Sequence, residues 1–295
     1  MKYLKIFILL LFLLTSCQKE APGTAFSFTD HLGRKVNVES CERVACLLGS
    51  FADVWTLAGG KVCAASIDAK EDFGLDNFVN LGGAHSPSLE ILLSVNPDLV
   101  IASASTSSNI EMKDTLEALN IPVAYFDVDN FEDYLNMLDI LTDLTGRKDL
   151  YEKNGLEIKK KTDSVLEKEI PSEKRKILLL RASSSFVKAK GSKGTILGEM
   201  LYDLGCENIA DNNKNLLENL SVEAVMKEEP YHIFVVTMGE SNAGLEKMIK
   251  ENPAWTTLKA VKENRLHIMD KRLFNLKPNS RWGEAYEILF EKLSK

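Results

Sequence analysis

Two spacings of apolar residues alternate along most of this 295-residue chain. Short apolar runs at 44–48, 62–67, 99–102 and 123–126 predict buried strands. Between them, segments 52–58, 88–95 and 111–119 carry apolar residues three and four apart, the helical spacing. The alternation returns in the second half. Strands are predicted at 177–180, 233–236 and 266–269, and helices at 195–204, 221–227, 245–250 and 279–293. Such alternation predicts parallel sheets covered by helices. The middle differs. Segment 131–144 is amphipathic and stops at Gly146. Segment 148–169 is highly charged, holds one Gly and no Pro, and stops at Pro171, which predicts one long, partly exposed helix. The expected fold class is therefore α/β: two parallel-sheet lobes, 25–146 and 171–295, joined by a single long helix at 147–170 with a ligand cleft between the lobes.

The N-terminus breaks this pattern. Lys2 and Lys5 precede nine apolar residues, 6–14. A membrane-spanning helix needs about 20, so the run fits the hydrophobic part of a secretory signal. Leu14-Thr15-Ser16-Cys17 then reads as a lipobox and resembles a bacterial lipoprotein signal. The resemblance implies a signal peptide over 1–16, lipidation of Cys17, and a polar tether over 17–24 containing Pro22 and Gly23. The folded body is then held at a membrane in the cell envelope, facing the periplasm or the exterior. Cleavage removes two lysines and no acid, so the formal charge moves from −7 to −9.

Composition narrows the options. With 45% hydrophobic and 27% charged residues, the chain is neither wholly disordered nor a multi-pass membrane protein. An acidic balance argues against a nucleic-acid partner, which needs basic patches to neutralise phosphates. Five Cys in this length make no disulfide framework. Cys46 and Cys63 sit in apolar strand runs and read as core thiols. No zinc spacing is present.

An internal echo relates the two halves. Ser88-Leu89-Glu90 precedes Asn96-Pro97, and Ser221-Val222-Glu223 precedes Glu229-Pro230. In both, Ser stands two residues before Glu and nine before Pro. Ser is a good N-cap, and a carboxylate is favoured in the first helical turn. Capping accounts for Ser and Pro but does not require Glu in the same place twice.

With these residues, Arg43-Val44, Phe28-Thr29-Asp30-His31-Leu32-Gly33-Arg34, Leu81-Gly82-Gly83, Asn252-Pro253-Ala254-Trp255 and Asn264-Arg265-Leu266 resemble periplasmic-binding proteins of iron-siderophore, haem and cobalamin ABC transporters. The resemblance covers nearly all of the mature chain. It implies a monomeric, non-enzymatic, lipid-anchored solute-binding protein with no catalytic cofactor. Its ligand would be an iron-siderophore complex, haem or cobalamin, and its partners an import permease and that permease's ATPase. It also implies that Glu90 and Glu223 meet arginines of the permease, and that one connecting helix permits only small hinge closure.

Ligands of open parallel sheets bind beyond the carboxyl ends of the strands. In the first lobe this points to Phe51, His85 and Ser86 among neutral loops. In the second it points to Lys188, Phe274, Arg281 and Trp282, with Phe186, Lys190, Lys193, Arg272 and Lys277 nearby. A basic, aromatic wall suits a large anion with a flat part. His85 is the candidate metal ligand, while Gly83 stands where haem-binding relatives carry a Tyr. Trp255 reads as core. Two other readings stay open: a chelatase-like enzyme on the same architecture, and a surface interaction lipoprotein without a cleft ligand. The chain has no G-x-S-x-G elbow, P-loop or dinucleotide fingerprint.

Overall fold

A computed structural model describes residues 26–238 and 242–295. The signal segment, Cys17, the tether and part of the 237–242 loop lie outside the described residues.

The chain enters through an antiparallel hairpin, β1 (Phe26–Thr29) and β2 (Lys35–Val38). Asp30 fixes its turn, accepting from the backbone N–H groups of Leu32 and Arg34 and pairing with the Arg34 guanidinium. The first sheet follows. Its strands are β3 (Val44–Cys46), β4 (Val62–Ala65), β5 (Val79–Asn80), β8 (Leu99–Ser103) and β9 (Val123–Phe126), in the order β5-β4-β3-β8-β9. Every neighbouring pair is parallel. A minor hairpin, β6 (Gly82–Gly83) and β7 (Ser86–Pro87), branches from its edge.

The second sheet contains β10 (Lys176–Ala182), β11 (Val187–Ala189), β12 (Glu207–Asn208), β13 (His232–Thr237) and β14 (Leu266–Met269). Strands β12, β13 and β14 run parallel to their partners, whereas β11 folds back antiparallel on the carboxyl end of β10. The sequence reading treats 183–193 as loop. Val-Lys-Ala is too short and too polar to announce a strand, and only the β10 edge makes it one.

Both sheets are buried on two faces, and alternation divides their side chains. In the first, Ala45, Leu47, Val100 and Ala102 pack outward, while Val44, Cys46, Leu99 and Ile101 face a second core. In the second, Leu178, Leu180 and Ala182 pack outward, while Ile177 and Leu179 join the same second core. One continuous hydrophobic cluster therefore runs from lobe to lobe.

The chain passes between the sheets once. A helix at Phe131–Thr145 opens with a capping box, Asn130 against Asp133, and ends at Gly146 in the left-handed conformation with φ 68°. A second helical run follows through Lys148–Tyr151, a π turn at Glu152–Leu156, and Glu157–Leu166. Asn154, in the π turn, donates to the Leu57 carbonyl, and its own carbonyl accepts from the Tyr134 hydroxyl. The C-terminal helix Trp282–Ser294 packs back along this run. Predicted and observed elements agree closely at 123–126 and 266–269. The helix expected at 111–119 is observed at Lys113–Ala118, and a separate short helix at Ser107–Glu111 precedes it.

Candidate functional site: loops at the seam between the lobes

The loops that follow the strands carry the polar side chains of interest. After β3, Gly49 starts a helix against the loop after β4. A Cβ there would lie 2.4 Å from the Ala69 nitrogen, so only Gly allows this approach, and the Gly49 N–H donates to Asp68. After β8, Asn109 is buried and accepts from the Ser103 N–H, while its side-chain amide nitrogen has no partner among the described residues. Ser105 donates to Asp127 in the loop after β9.

Among the described residues, three side chains of the second lobe make polar ties to the first. The Asn279 amide donates to the Ser50 carbonyl at 2.9 Å and to Asp53 at 2.8 Å. Lys271 pairs with Asp72 at 2.8 Å. Lys277 lies 3.7 Å from Asp129, and enclosure pushes its ammonium pKa down although Asp129, Asp127 and Asp133 oppose this. Burial also raises the Asp53 carboxyl, against the lowering effect of the Asn279 hydrogen bond. Beside these ties a cavity of about 160 Å³ is lined by Asp53, Phe73, Arg272, Lys277, Ser280 and Arg281.

Several expected ligand contacts are placed elsewhere. Trp282 is completely buried, with its ring 5.7 Å from Phe131 and 6.3 Å from Tyr286. Phe51 and Phe274 are enclosed in the same core. All three belong to packing beneath the seam rather than to a ligand surface. The apolar bulk that suggested a ligand wall is what joins the lobes. The Arg281 guanidinium is held by both oxygens of Glu284, one turn on, so its fork is already occupied. His85 and Ser86 are exposed, at the turn and return of the β6–β7 hairpin. Lys188 is exposed over the ring of Phe186 at 5.3 Å. Phe186 closes a tight turn in which Ser183 accepts from the Ser185 and Phe186 N–H groups. Trp255 is buried, in a 3-10 turn at Pro253–Thr257.

Arg181 escaped the sequence reading. It ends the apolar run of β10 and continues the Ile177–Leu179 face, and its buried Nε has no partner among the described residues. In the antiparallel register Arg181 stands directly opposite Lys188. Lys190 follows two residues later, on the same face. Among the described residues none of the three has an acidic partner. Burial pulls the Arg181 pKa down, and burial, Arg181 and Lys188 together pull Lys190 down. Like charges directly opposite destabilise a strand pair, and an unpaired charge is costly to enclose. The one sequence signal was a cation interrupting an otherwise apolar strand.

The proposed docking carboxylates occupy equivalent places. Ser88 caps its helix by accepting from the Ile91 N–H, and Ser221 caps its helix by accepting from the Ala224 N–H. Glu90 and Glu223 are then the second residue of each helix, exposed and without an ion pair among the described residues.

The molecule is thus two α/β lobes with one crossing between their sheets among the described residues and polar loops gathered along their seam. The chain belongs to the periplasmic binding protein family, whose model matches residues 44–273. It is a binding protein, not an enzyme. It is 24% identical over 254 residues to the Fe(3+)-citrate-binding protein YfmC of Bacillus subtilis (strain 168), covering 82% of this chain and 77% of the relative. Its fold is similar to Staphylococcus aureus SirA complexed with staphyloferrin B, with TM-score 0.68, 20% identity, and 91% and 98% of the two chains covered. It is equally similar to the periplasmic haem-binding protein HutB of Vibrio cholerae, with TM-score 0.68, 17% identity, and 87% and 100% covered. Among the described residues no group of three or more His, Cys, Asp or Glu is placed to hold a metal ion.

Proposed function

We propose that the chain captures an anionic ferric chelate between its lobes and delivers it to an ABC import permease. The observation that carries this reading is the set of Arg181, Lys188 and Lys190, cations at the carboxyl end of β10 that have no acidic partner among the described residues. Such a group is costly in the empty protein and favourable when an anion arrives, because charged hydrogen bonds strengthen in a desolvated site. Similarity to a ferric-citrate binder and to a protein solved with staphyloferrin B supports the same ligand class. In this reading the chelate supplies all of the iron's ligands and the protein grips its outer charge. Cys17 carries the lipid anchor, and Glu90 and Glu223 meet the permease.

Haem is the second reading. The exposed imidazole of His85, on the β6–β7 hairpin, favours it, as does similarity to a haem-binding protein. One titration separates the readings. Ferric citrate, a ferric catecholate, haem and cobalamin are each added to the purified protein while absorbance and tryptophan emission are followed. Binding of the two anionic ferric chelates ahead of the others is the expected result. A Soret shift that disappears in His85→Ala would move the assignment to haem. No response to any of the four would overturn the chelate assignment.

A further inference from the structure

A second and larger cavity, of about 440 Å³, shares no lining residue with the one at the seam. That size lies within the range of small-molecule pockets, about 300–1,000 Å³. Each part of the molecule supplies a wall. The first lobe's side gives Asn130, Phe131 and Glu132; the connecting helix gives Lys159, Thr162 and Asp163; the second lobe gives Glu199, Asp203 and Tyr286.

The charges in this cavity do not balance. Lys159 pairs with Asp163 at 3.0 Å and with Glu132 at 3.8 Å. Lys193 pairs with Glu199 at 2.8 Å. Among the described residues Asp203 has no ion pair within 4 Å, although Lys193 attracts it from farther off, and it accepts the Tyr286 hydroxyl at 2.6 Å. A second feature is independent of the acids. Thr162 is 1% exposed, lines the cavity, and its hydroxyl has no hydrogen-bond partner among the described residues. A buried hydroxyl without a partner is a position where a ligand gains a hydrogen bond at no competing cost. The third feature is apolar: the rings of Phe131 and Tyr286, whose faces attract cations as well as hydrocarbon.

We propose that this cavity is a binding site for a small organic ammonium ion. The Asp203 carboxylate takes the charge, the Thr162 hydroxyl accepts one N–H, and the two rings cover the carbon skeleton. An anion is excluded by the surplus of carboxylates. An occupant touches both lobes and their connector at once, so it favours whichever lobe spacing fits it best.

The test uses three probes of one shape and different charge: 2-phenylethylammonium, 2-phenylethanol and 3-phenylpropionate. Each is titrated calorimetrically into the full chain in detergent, with no iron chelate present, so the outcome is independent of the transport reading. The ammonium should bind at least about tenfold more tightly than the alcohol or the carboxylate. Asp203→Asn should weaken it by about fivefold or more, the cost of losing one charged hydrogen bond. Leu166→Trp, at an exposed position on the cavity wall, should fill the space and abolish binding, which keeps the test decisive if Asp203→Asn fails to fold. The proposal is overturned if none of the probes binds, if the alcohol or carboxylate binds as tightly as the ammonium, or if Leu166→Trp binds it unchanged.

Discussion

Arg181 shows how one residue trades stability for binding. Its neighbours along β10 are apolar and buried, and a hydrocarbon side chain would pack in their row. The guanidinium instead faces Lys188 across the strand pair, with its Nε unbonded among the described residues. Replacing a partly buried charge that has no acidic partner among the described residues by a side chain of similar length removes its desolvation cost. Arg181→Met should therefore raise the melting temperature of the ligand-free protein, with each kcal/mol gained appearing as about 2–4 °C in a chain of this size. The same variant should lose affinity for ferric citrate by about tenfold or more, since a charged hydrogen bond contributes about 1.5–3 kcal/mol. Scanning calorimetry and chelate titration of one preparation read both effects. A variant that is less stable and binds normally would make Arg181 structural.

At the scale of elements, β13 and β14 pair a buried histidine with a half-buried one. His232 Nδ1 and His267 Nε2 lie 3.0 Å apart, so one ring donates and the other accepts, an arrangement that two cationic rings cannot make. Burial pulls both pKa values down from 6.5 to about 4, helped for His232 by His267, Arg265 and Lys174, and for His267 by Lys292, Arg265 and Lys295. The unfolded chain takes up these protons near pH 6.5 and the folded chain only near pH 4. Between those values the unfolded state binds more protons, so acid favours unfolding. Stability from this pair should be complete above pH 6.5 and fall as pH drops toward 4. Urea midpoints measured across that interval should decline in the native protein. They should decline less in His267→Gln, which keeps a partner for His232 without a titrating ring. Equal slopes would show that other groups dominate the acid response.

The helices show how the echo between halves works physically. Each proposed docking helix begins at a Ser cap with Glu as its second residue. Each is followed by a left-handed residue before Pro, Asn96 at φ 47° and Glu229 at φ 48°. The sequence made the caps and prolines visible because capping and helix termination are local. The matching backbone turns emerge only in three dimensions.

For the whole molecule, the segment from Asp270 to Arg281 holds the lobes together. Its Lys271, Lys277 and Asn279 reach Asp72, Asp129 and Ser50 of the first lobe, above a core that continues through Phe131, Trp282 and Tyr286. Charge on an outer surface acts separately from this interior. Glu90→Ala combined with Glu223→Ala should abolish uptake in cells while chelate affinity stays within about twofold of native, since exposed carboxylates of this kind contribute little to folding. Transport assays paired with titration of the purified variant check this. Loss of chelate affinity would sink the docking role.

Much of this architecture was legible in the chain. Apolar spacing, helix caps and the Gly146 stop are local consequences of backbone geometry, and they determined the alternation of strands and helices, the break between halves and the repeated Ser-x-Glu. Tertiary structure alone decided which aromatic residues face solvent. Phe51, Phe274 and Trp282 lie near loops that suit a ligand, yet burial of their large apolar surfaces stabilises the junction of the lobes, and no local pattern distinguishes those two uses. It alone also paired Arg181 with Lys188. A strand of three residues forms only when another edge supplies its hydrogen bonds, and the register of that edge brings like charges face to face.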